Sequence, residues 1–316
     1  MIRVLANDGI NPEGKKMLEE AGIEVIDQKI EQENLLGELD RFDAILVRSA
    51  TQVRKELIDV CPNLKLIGRG GVGMDNIDVA YARKRGITVV NTPSASSESV
   101  AELALAHLMT GVRFLADSNR KMPKQGATHF KDLKKRYSKG IEVRGKVMGI
   151  IGFGRIGQAF ARLCLGLGMK VLAYDPYVEE ATINMVIEGI NDLPGIQIKT
   201  TELDKVLEQS DFISLHVPAG EKPIIDADAF SKMKDGVAVI NAARGGVIDE
   251  NALLEALNSG KVSFAGIDVF INEPKPMAAL LEHPKVSLTP HIGAATQEAQ
   301  RRVWTEMAKQ VIQYLQ

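Results

Sequence analysis

Short β-branched or aliphatic runs alternate with stretches of helical period along almost the whole chain. In the first hundred residues Ile2 to Ala6, Glu24 to Ile26, Ala44 to Val47, Lys65 to Ile67 and Ile87 to Val90 are predicted strands. Helical patterns fill the gaps, and that rhythm predicts a parallel sheet. Between the first two strands, Asn11-Pro12 places a capping side chain before a proline whose missing N–H costs nothing at a helix start.

From Ser96 to Arg120, Val100, Leu103, Ala104, Leu108 and Val112 recur at helical spacing behind a Ser99-x-x-Glu102 capping box, so one long buried helix is predicted. Lys121 to Lys146 then carries nine Lys or Arg residues against Asp132 and Glu142 and reads as a basic connector between domains. A second strand–helix series follows, with strands at Val147 to Ile151, Lys170 to Tyr174, Phe212 to Leu215, Val237 to Ile240 and Phe264 to Ile267. Asn184 to Thr200 has no clear period and contains Gly189, Pro194 and Gly195, which predicts a surface excursion with little function. After Thr296, Ala299, Val303, Met307 and Val311 form a helical stripe flanked by Trp304, Ala308, Ile312 and Leu315. One such helix cannot be a domain, so it is expected to pack back on a core already built.

Length adds a count to this pattern: 316 residues at roughly 150 per domain imply two. Composition narrows the class. With 39 Lys plus Arg against 41 Asp plus Glu, a formal net charge of −2 gives no global case for nucleic acid or an anionic membrane. The N-terminus turns polar too early for a signal peptide, no apolar run reaches membrane-span length, and a cytoplasmic location is expected. Cys61 and Cys164 stand far apart in no redox or metal spacing, and the five histidines show no ligand spacing, so no metal is expected.

The glycines point to chemistry. Gly152-Phe153-Gly154-Arg155-Ile156-Gly157 follows a predicted strand directly and opens a predicted helix on which Ile156, Ala159, Phe160, Leu163 and Leu167 recur. In such a turn the first glycine permits the bend, the second lets backbone N–H groups approach a pyrophosphate, and the third allows close helix–strand packing. A lone glycine fingerprint is weak. Asp175, at the end of the next strand about 20 residues on, strengthens it, since a carboxylate there accepts from the adenosine ribose. It would also repel a 2′-phosphate, and no Arg or Lys follows it in Asp175-Pro176-Tyr177-Val178, which favours NAD over NADP.

Three further polar residues follow strands in the second series: Arg244, Glu273 and His291. Singly, each has a bland reading as a solvated arginine, a surface turn or a structural histidine. Together they match a 2-hydroxy acid, which needs a guanidinium fork for its carboxylate and a base near neutrality for its hydroxyl proton. A carboxylate on the other imidazole nitrogen would fix the tautomer, a role that suits Glu273. His216 is a competing base, and His107 falls on the predicted buried helix, where a structural role is expected.

At these residues the chain resembles the NAD-dependent D-2-hydroxyacid dehydrogenase family. The resemblance also rests on Arg48-Ser49-Ala50-Thr51, Gly68 to Asp78, Asn91-Thr92-Pro93, Asn241 to Gly246 and Pro290 to Ala294. It implies an α/β architecture of two doubly wound parallel-sheet domains, with a Rossmann cofactor domain (98–289) inserted into a flavodoxin-like substrate-binding domain (1–97 plus 290–316). It also implies a catalytic set of Arg244, Glu273 and His291. By the same resemblance NAD contacts Gly152, Gly154, Arg155, Ile156, Gly157 and Asp175. The resemblance extends those contacts to Val72, His216, Val217, Pro218, Ala242, Ala243, Asp268, Gly293 and Ala294, with Asp268 near the nicotinamide amide. Substrate contacts are implied at Arg48, Ser49, Arg69, Gly70, Gly71 and Val72, the glycine loop Gly70 to Gly73 holding the carboxylate through its N–H groups.

Within the family the phosphoglycerate branch is the nearest likeness, so the expected substrate is a small 2-hydroxy or 2-oxo acid carrying a phosphate, D-3-phosphoglycerate first. Arg48, Arg69 and some of Lys134, Lys135 and Arg136 are candidate phosphate ligands, though a basic run is as readily a solvated face. The alternative is glyoxylate or hydroxypyruvate reduction, and a remote one is an NADH-sensing binding protein. A homodimer is implied, and no nucleic-acid or membrane partner. Only 25 residues follow His291, so no C-terminal regulatory domain is expected.

Overall fold

The structure, a computed structural model, describes residues 1–185, 189–190 and 193–316. The chain divides into two compact units, Met1–Ser97 with Ala294–Gln316, and Glu98–Gly293. His291 to Gly293 therefore belong to the second unit, and Val72 and Ala294 to the first.

Unit 1 contains β1 (Arg3–Ala6), β2 (Glu24–Ile26), β3 (Ala44–Val47), β4 (Leu66–Arg69) and β5 (Thr88–Asn91), all parallel, in the order β2-β1-β3-β4-β5. This is the flavodoxin-like order, with its reversal between β1 and β3. The joining helices are α1 (Pro12–Glu20), α2 (Leu35–Glu38), α3 (Lys55–Asp59) and α4 (Val79–Lys84). Asn11 caps α1, its side chain accepting from the Glu13 N–H, with Pro12 at the first helical position. Because strand side chains alternate, Leu5, Ile45, Val47 and Ile67 enter one core, while Val4, Ala6, Leu46 and Leu66 enter another on the opposite face.

Unit 2 begins within α5 (Ser97–Val112), which starts two residues before the expected Ser99 cap. It does not run on to Arg120. The chain breaks at Phe114, whose φ of 57° is left-handed, and resumes as α6 (Leu115–Gln125), followed by α7 (Phe130–Tyr137). The expected basic connector is thus half helical, and Arg136 pairs with Asp117 at 3.1 Å. The strands β6 (Val147–Ile151) and β7 (Lys170–Tyr174) flank α8 (Arg155–Gly166).

The expected excursion from Asn184 to Thr200 is corrected in part. Glu180–Ile183 (β8) and Ile196–Lys199 (β9) form an antiparallel pair, and Thr200 bridges Ala173 beside β7. Residues 186–188 and 191–192 of that stretch lie outside the described residues. Then come α9 (Leu203–Gln209), β10 (Phe212–Leu215), α10 (Ala227–Lys232), β11 (Val237–Asn241), α11 (Glu250–Ser259), β12 (Val262–Ile267), α12 (Ala278–Leu281) and β13 (Val286–Leu288).

The six parallel strands of unit 2 take the order β13-β12-β11-β10-β6-β7, which reverses direction between β6 and β10. Ligands of such sheets bind outside the carboxyl ends at that reversal. Met148, Ile150, Phe212, Ala238 and Ile240 meet Ala104, Leu108 and Phe160 on one face, and Ile213, Leu215, Val239 and Ile267 meet Val206, Phe230 and Leu253 on the other. Both cysteines are buried, and burial pushes their thiols up to about 11 (Cys61) and about 12 (Cys164).

The chain returns to unit 1 with α13 (Gln297–Leu315), capped by the Thr296 hydroxyl, which accepts from the Ala299 N–H at 3.1 Å. Its stripe of Val303, Trp304, Met307, Ala308 and Val311 is buried in the Val4–Leu46–Leu66 core. One face of the first sheet is thus covered by α1 and α13 together.

Candidate active site

The glycine turn lies at the reversal of the unit 2 sheet. Gly152 has φ of 94°, and a Cβ there would come within 2.5 Å of the His216 carbonyl oxygen and 2.8 Å of Val217. A Cβ on Gly157 would collide with the Gly152 carbonyl, so helix and strand meet backbone to backbone. Gly154, which precedes the first turn of α8, has open space where its Cβ would be. A helix N-terminus with open space before it and no side chain on the capping residue suits a pyrophosphate, because its N–H groups lack intrahelical partners. Asp175 at the end of β7 accepts from the N–H groups of Phe153 (2.7 Å), Tyr177 (2.8 Å) and Val178 (3.1 Å). Three of about four lone-pair sites on the carboxylate are used, which leaves capacity for a ribose hydroxyl.

His216 follows β10, its ring 5.2 Å from that of Phe160 and its Nε2 3.0 Å from Ser214 Oγ, while Nδ1 is buried. Burial pushes its pKa down to about 3. His216 is neutral at physiological pH and too weak a base to compete for the role considered above.

Farther along the same edge, β11, β12 and β13 are neighbours, and they carry the three loops with the remaining candidates. After β11, the Asn241 side chain accepts from Ala243 N–H and donates to Arg244 O, closing a tight loop, and Arg244 Nη1 donates to Ala243 O at 2.7 Å. Gly245 lies so close to the backbone of Phe270 and Ile271 that a side chain there would collide with it. The loop of Arg244 and the loop of Glu273 are therefore in contact.

Glu273 Oε1 accepts from the Phe270 N–H at 2.9 Å, and its Oε2 lies 2.8 Å from His291 Nδ1. An ionised carboxylate only accepts, so Nδ1 carries the proton and Nε2 the lone pair. His291 has φ of 54°, a left-handed conformation that costs an L-residue roughly 1–2 kcal/mol. Backbone bonds around Asp268 hold it there: His291 N–H donates to Asp268 O at 2.8 Å, while the Asp268 carboxylate accepts from Ile292 N–H (2.8 Å) and Gly293 N–H (2.9 Å).

Two contributions had no signal in the sequence. Glu250, buried at the start of α11, accepts from the Ile271 N–H at 2.9 Å and steadies the Glu273 loop. Thr289 donates to Asp268 at 2.6 Å and is itself approached by His107 at 2.9 Å.

In unit 1, Arg48 follows β3 and is half-buried. Its guanidinium reaches the amide oxygen of Gln300, and burial holds its pKa below the usual arginine range. Arg69, at the end of β4, donates to Gly70 O at 2.9 Å. The Gly70 N–H is bonded to Val47 O at 2.9 Å, so the expected carboxylate cradle narrows to residues 71–73. Ser49 and Val72 are exposed.

The connector cations stand elsewhere. Arg136 lines a cavity of about 530 Å³ with Phe212, Gly236 and Ser263, which lie at or beside the amino ends of β10, β11 and β12, opposite the edge that carries Arg244, Glu273 and His291. Of the candidate phosphate ligands on α7, Arg136 thus stands at the sheet edge opposite Arg244, Glu273 and His291.

Residues 105–293 match the family model described as D-isomer specific 2-hydroxyacid dehydrogenase, NAD binding domain. The chain belongs to that family. Its cofactor is NAD, and the open helix N-terminus at Gly154 and the anchored Asp175 fit that dinucleotide. The chain is 43% identical to a hydroxypyruvate reductase of Thermotoga maritima over 99% of its own length and 98% of that protein. It is 41% identical to a D-3-phosphoglycerate dehydrogenase of Archaeoglobus fulgidus over 98% of its length, but spans 57% of that protein. A crystal structure of a glyoxylate reductase from Paecilomyes thermophila superposes with a TM-score of 0.80 at 29% identity, covering 98% of this chain and 95% of the other.

Proposed function

We propose that this dehydrogenase reduces a short 2-oxo acid of the hydroxypyruvate type with NADH, and oxidises the matching D-2-hydroxy acid in reverse. The chemistry rests above all on one observation, the 2.8 Å pair of His291 Nδ1 and Glu273 Oε2, which leaves Nε2 as the imidazole atom that exchanges a proton. NADH, when bound, supplies hydride to C2. His291, protonated, gives its Nε2 proton to the developing alkoxide, and in the oxidation direction takes it back. Glu273 keeps the ring oriented and balances its charge, and the Arg244 guanidinium binds the substrate carboxylate and polarises the carbonyl. The glycine turn, Asp175, Val217, Pro218, Ala242, Ala243, Asp268 and Gly293 are assigned to the cofactor. Arg48, Ser49, Arg69, Gly71 and Val72 of unit 1 are assigned to the substrate.

An unphosphorylated substrate is favoured by likeness along nearly the full length of a hydroxypyruvate reductase, and by the placement of Arg136 at the opposite sheet edge. A second reading, D-3-phosphoglycerate, is favoured by Arg48, a half-buried cation that donates to the neutral Gln300 and has Asp8 nearby. The deciding experiment is a panel of hydroxypyruvate, glyoxylate, pyruvate and phosphohydroxypyruvate with NADH. A tenfold or greater preference in kcat/KM for the phosphorylated acid would hand the case to the second reading. NADH binding without turnover of any of them would overturn both and favour a dinucleotide-sensing binder. The proposal also includes a homodimer in the cytoplasm, checked by light scattering and cell fractionation.

A further inference from the structure

One histidine of unit 2 lies outside the set just described yet is bonded through both ring nitrogens. His107, on α5, is 2% exposed, with Nδ1 2.9 Å from Ser287 Oγ and Nε2 2.9 Å from Thr289 Oγ1, both hydroxyls belonging to or directly following β13. Its ring is seated over Gly266 of β12, where a Cβ would come 2.5 Å from the His107 Cβ and 2.9 Å from its Cγ. The strand leaves out a side chain at the one place this ring needs room, two residues before Asp268.

Proton counting fixes the direction of every bond. Asp268 is 1% exposed, and its ionised carboxylate only accepts, taking the two N–H groups of Ile292 and Gly293 and the Thr289 hydroxyl proton at 2.6 Å. A threonine hydroxyl has one proton, so towards His107 its oxygen can only accept. His107 Nε2 must therefore carry a hydrogen. In the neutral ring Nδ1 is then bare and accepts from Ser287. The donors run one way, from Ser287 through His107 and Thr289 to Asp268, and each bond polarises the next.

We propose that His107 is a positioning residue for catalysis. As the Nε2–H tautomer it orients the Thr289 hydroxyl onto Asp268, whose backbone and carboxylate together hold the left-handed turn that presents His291. At 2% exposed, His107 is closed off from substrate and cofactor alike. It acts through the three bonds by which Asp268 grips residues 291–293. The inference rests on the assignment of His291 as the acid/base.

The test has an arm that does not depend on turnover. In the intact wild-type protein, long-range 1H–15N correlation spectra at pH 7 should show His107 as the neutral Nε2–H tautomer. An Nδ1–H tautomer or a charged ring would overturn the proposal whatever the substrate turns out to be. For the second arm, His107→Leu should lower kcat for hydroxypyruvate reduction by about 3–10-fold while KM for NADH stays within about twofold. His107→Gln, whose amide both donates and accepts, should restore at least half of the lost rate. Equal losses in the Leu and Gln variants in step with their Tm values would reduce His107 to a packing residue, and so would unchanged kcat in both. Should the Leu variant fail to fold, Thr289→Val against Thr289→Ser asks the same question at the next bond, with loss expected only for Val and equal behaviour counting against the relay. Wild-type enzyme inactive on every 2-oxo acid but showing the Nε2–H tautomer would overturn the assignment of His291 and leave the hydrogen-bond relay standing.

Discussion

At the carboxyl edge of the unit 1 sheet the polar residues mostly bond to one another. Asp8 accepts from the Thr51 hydroxyl at 2.6 Å and from the N–H groups of Arg48 and Thr51, and Asn7 bonds to Thr51 and to both backbone groups of Ile30. At the corresponding edge of unit 2, Gly154 opens onto empty space, His291 sits in a left-handed conformation, and Glu273 is fixed by one oxygen so that the other can orient an imidazole. Both edges belong to open parallel sheets with one reversal of strand order, so architecture alone does not separate them. What separates them is chemistry: the unit 2 edge carries an imidazole oriented by a carboxylate and a glycine turn at a helix N-terminus, and the unit 1 edge carries arginines among bonded polar groups. All five histidines, 107, 129, 216, 283 and 291, also fall in unit 2.

The sharpest way to break this comparison is His291→Ala. Turnover should fall by about 10²–10⁴ while NADH affinity, read by fluorescence titration, changes little. Near-normal turnover would remove the functional distinction between the two edges. Next in size is a purely structural blow to unit 1. Trp304→Ala empties a buried indole site on α13 and should cost about 3–5 kcal/mol in denaturant unfolding, with hydrogen exchange accelerated in 1–97 and not in 98–293. Uniform acceleration would mean the units do not open independently.

Acid should sharpen the contrast from the other side. His216 is held near a pKa of about 3, well below the 6.5 of an unfolded histidine, so the unfolded chain binds the extra proton first. The stability of unit 2 is then complete above about pH 6.5 and declines as pH falls towards 3, by about 3 kcal/mol at pH 4.5. Burial lowers the pKa of His107 in the same direction. Unit 1 has no histidine, so hydrogen exchange compared at pH 7.5 and 4.5 should show unit 2 losing more protection, and equal losses would contradict the burial of His216. The smallest effect expected is Asp175→Ala, which should weaken NADH binding by about tenfold and narrow the gap to NADPH.

The parts of this molecule legible in the sequence were those in which a local pattern and the fold agree. Every strand from β1 to β7 and from β10 to β12 shows as a run of aliphatic or β-branched residues, and Gly152, Asp175, Arg244 and Glu273 stand out because each follows such a run. β13 gives no strand signal because Val286-Ser287-Leu288 is three residues long and follows Pro284. The β8–β9 pair was hidden by the glycines and proline around it, although Ile196-Gln197-Ile198-Lys199 alternates as a strand should. The break falls at Arg113-Phe114, which contains neither glycine nor proline, so the sequence does not mark the left-handed Phe114. The bonds of His107 join residues some 180 positions apart, which no spacing rule reaches. The same holds for Arg136, whose charge was visible but whose sheet edge was not.

The route of the chain through its two units bears on how the protein is made. The first 97 residues leave the ribosome well before α13, whose Val303, Trp304 and Met307 complete the core around Val4, Leu46 and Leu66. At common elongation rates of ~5–20 residues per second, the insertion of about 200 residues imposes a wait of roughly 10–40 s. Throughout that interval the side chains that α13 will cover stay uncovered. The only tryptophan sits on the closing helix. Its emission therefore reports the moment when α13 closes on the segment made before the insertion.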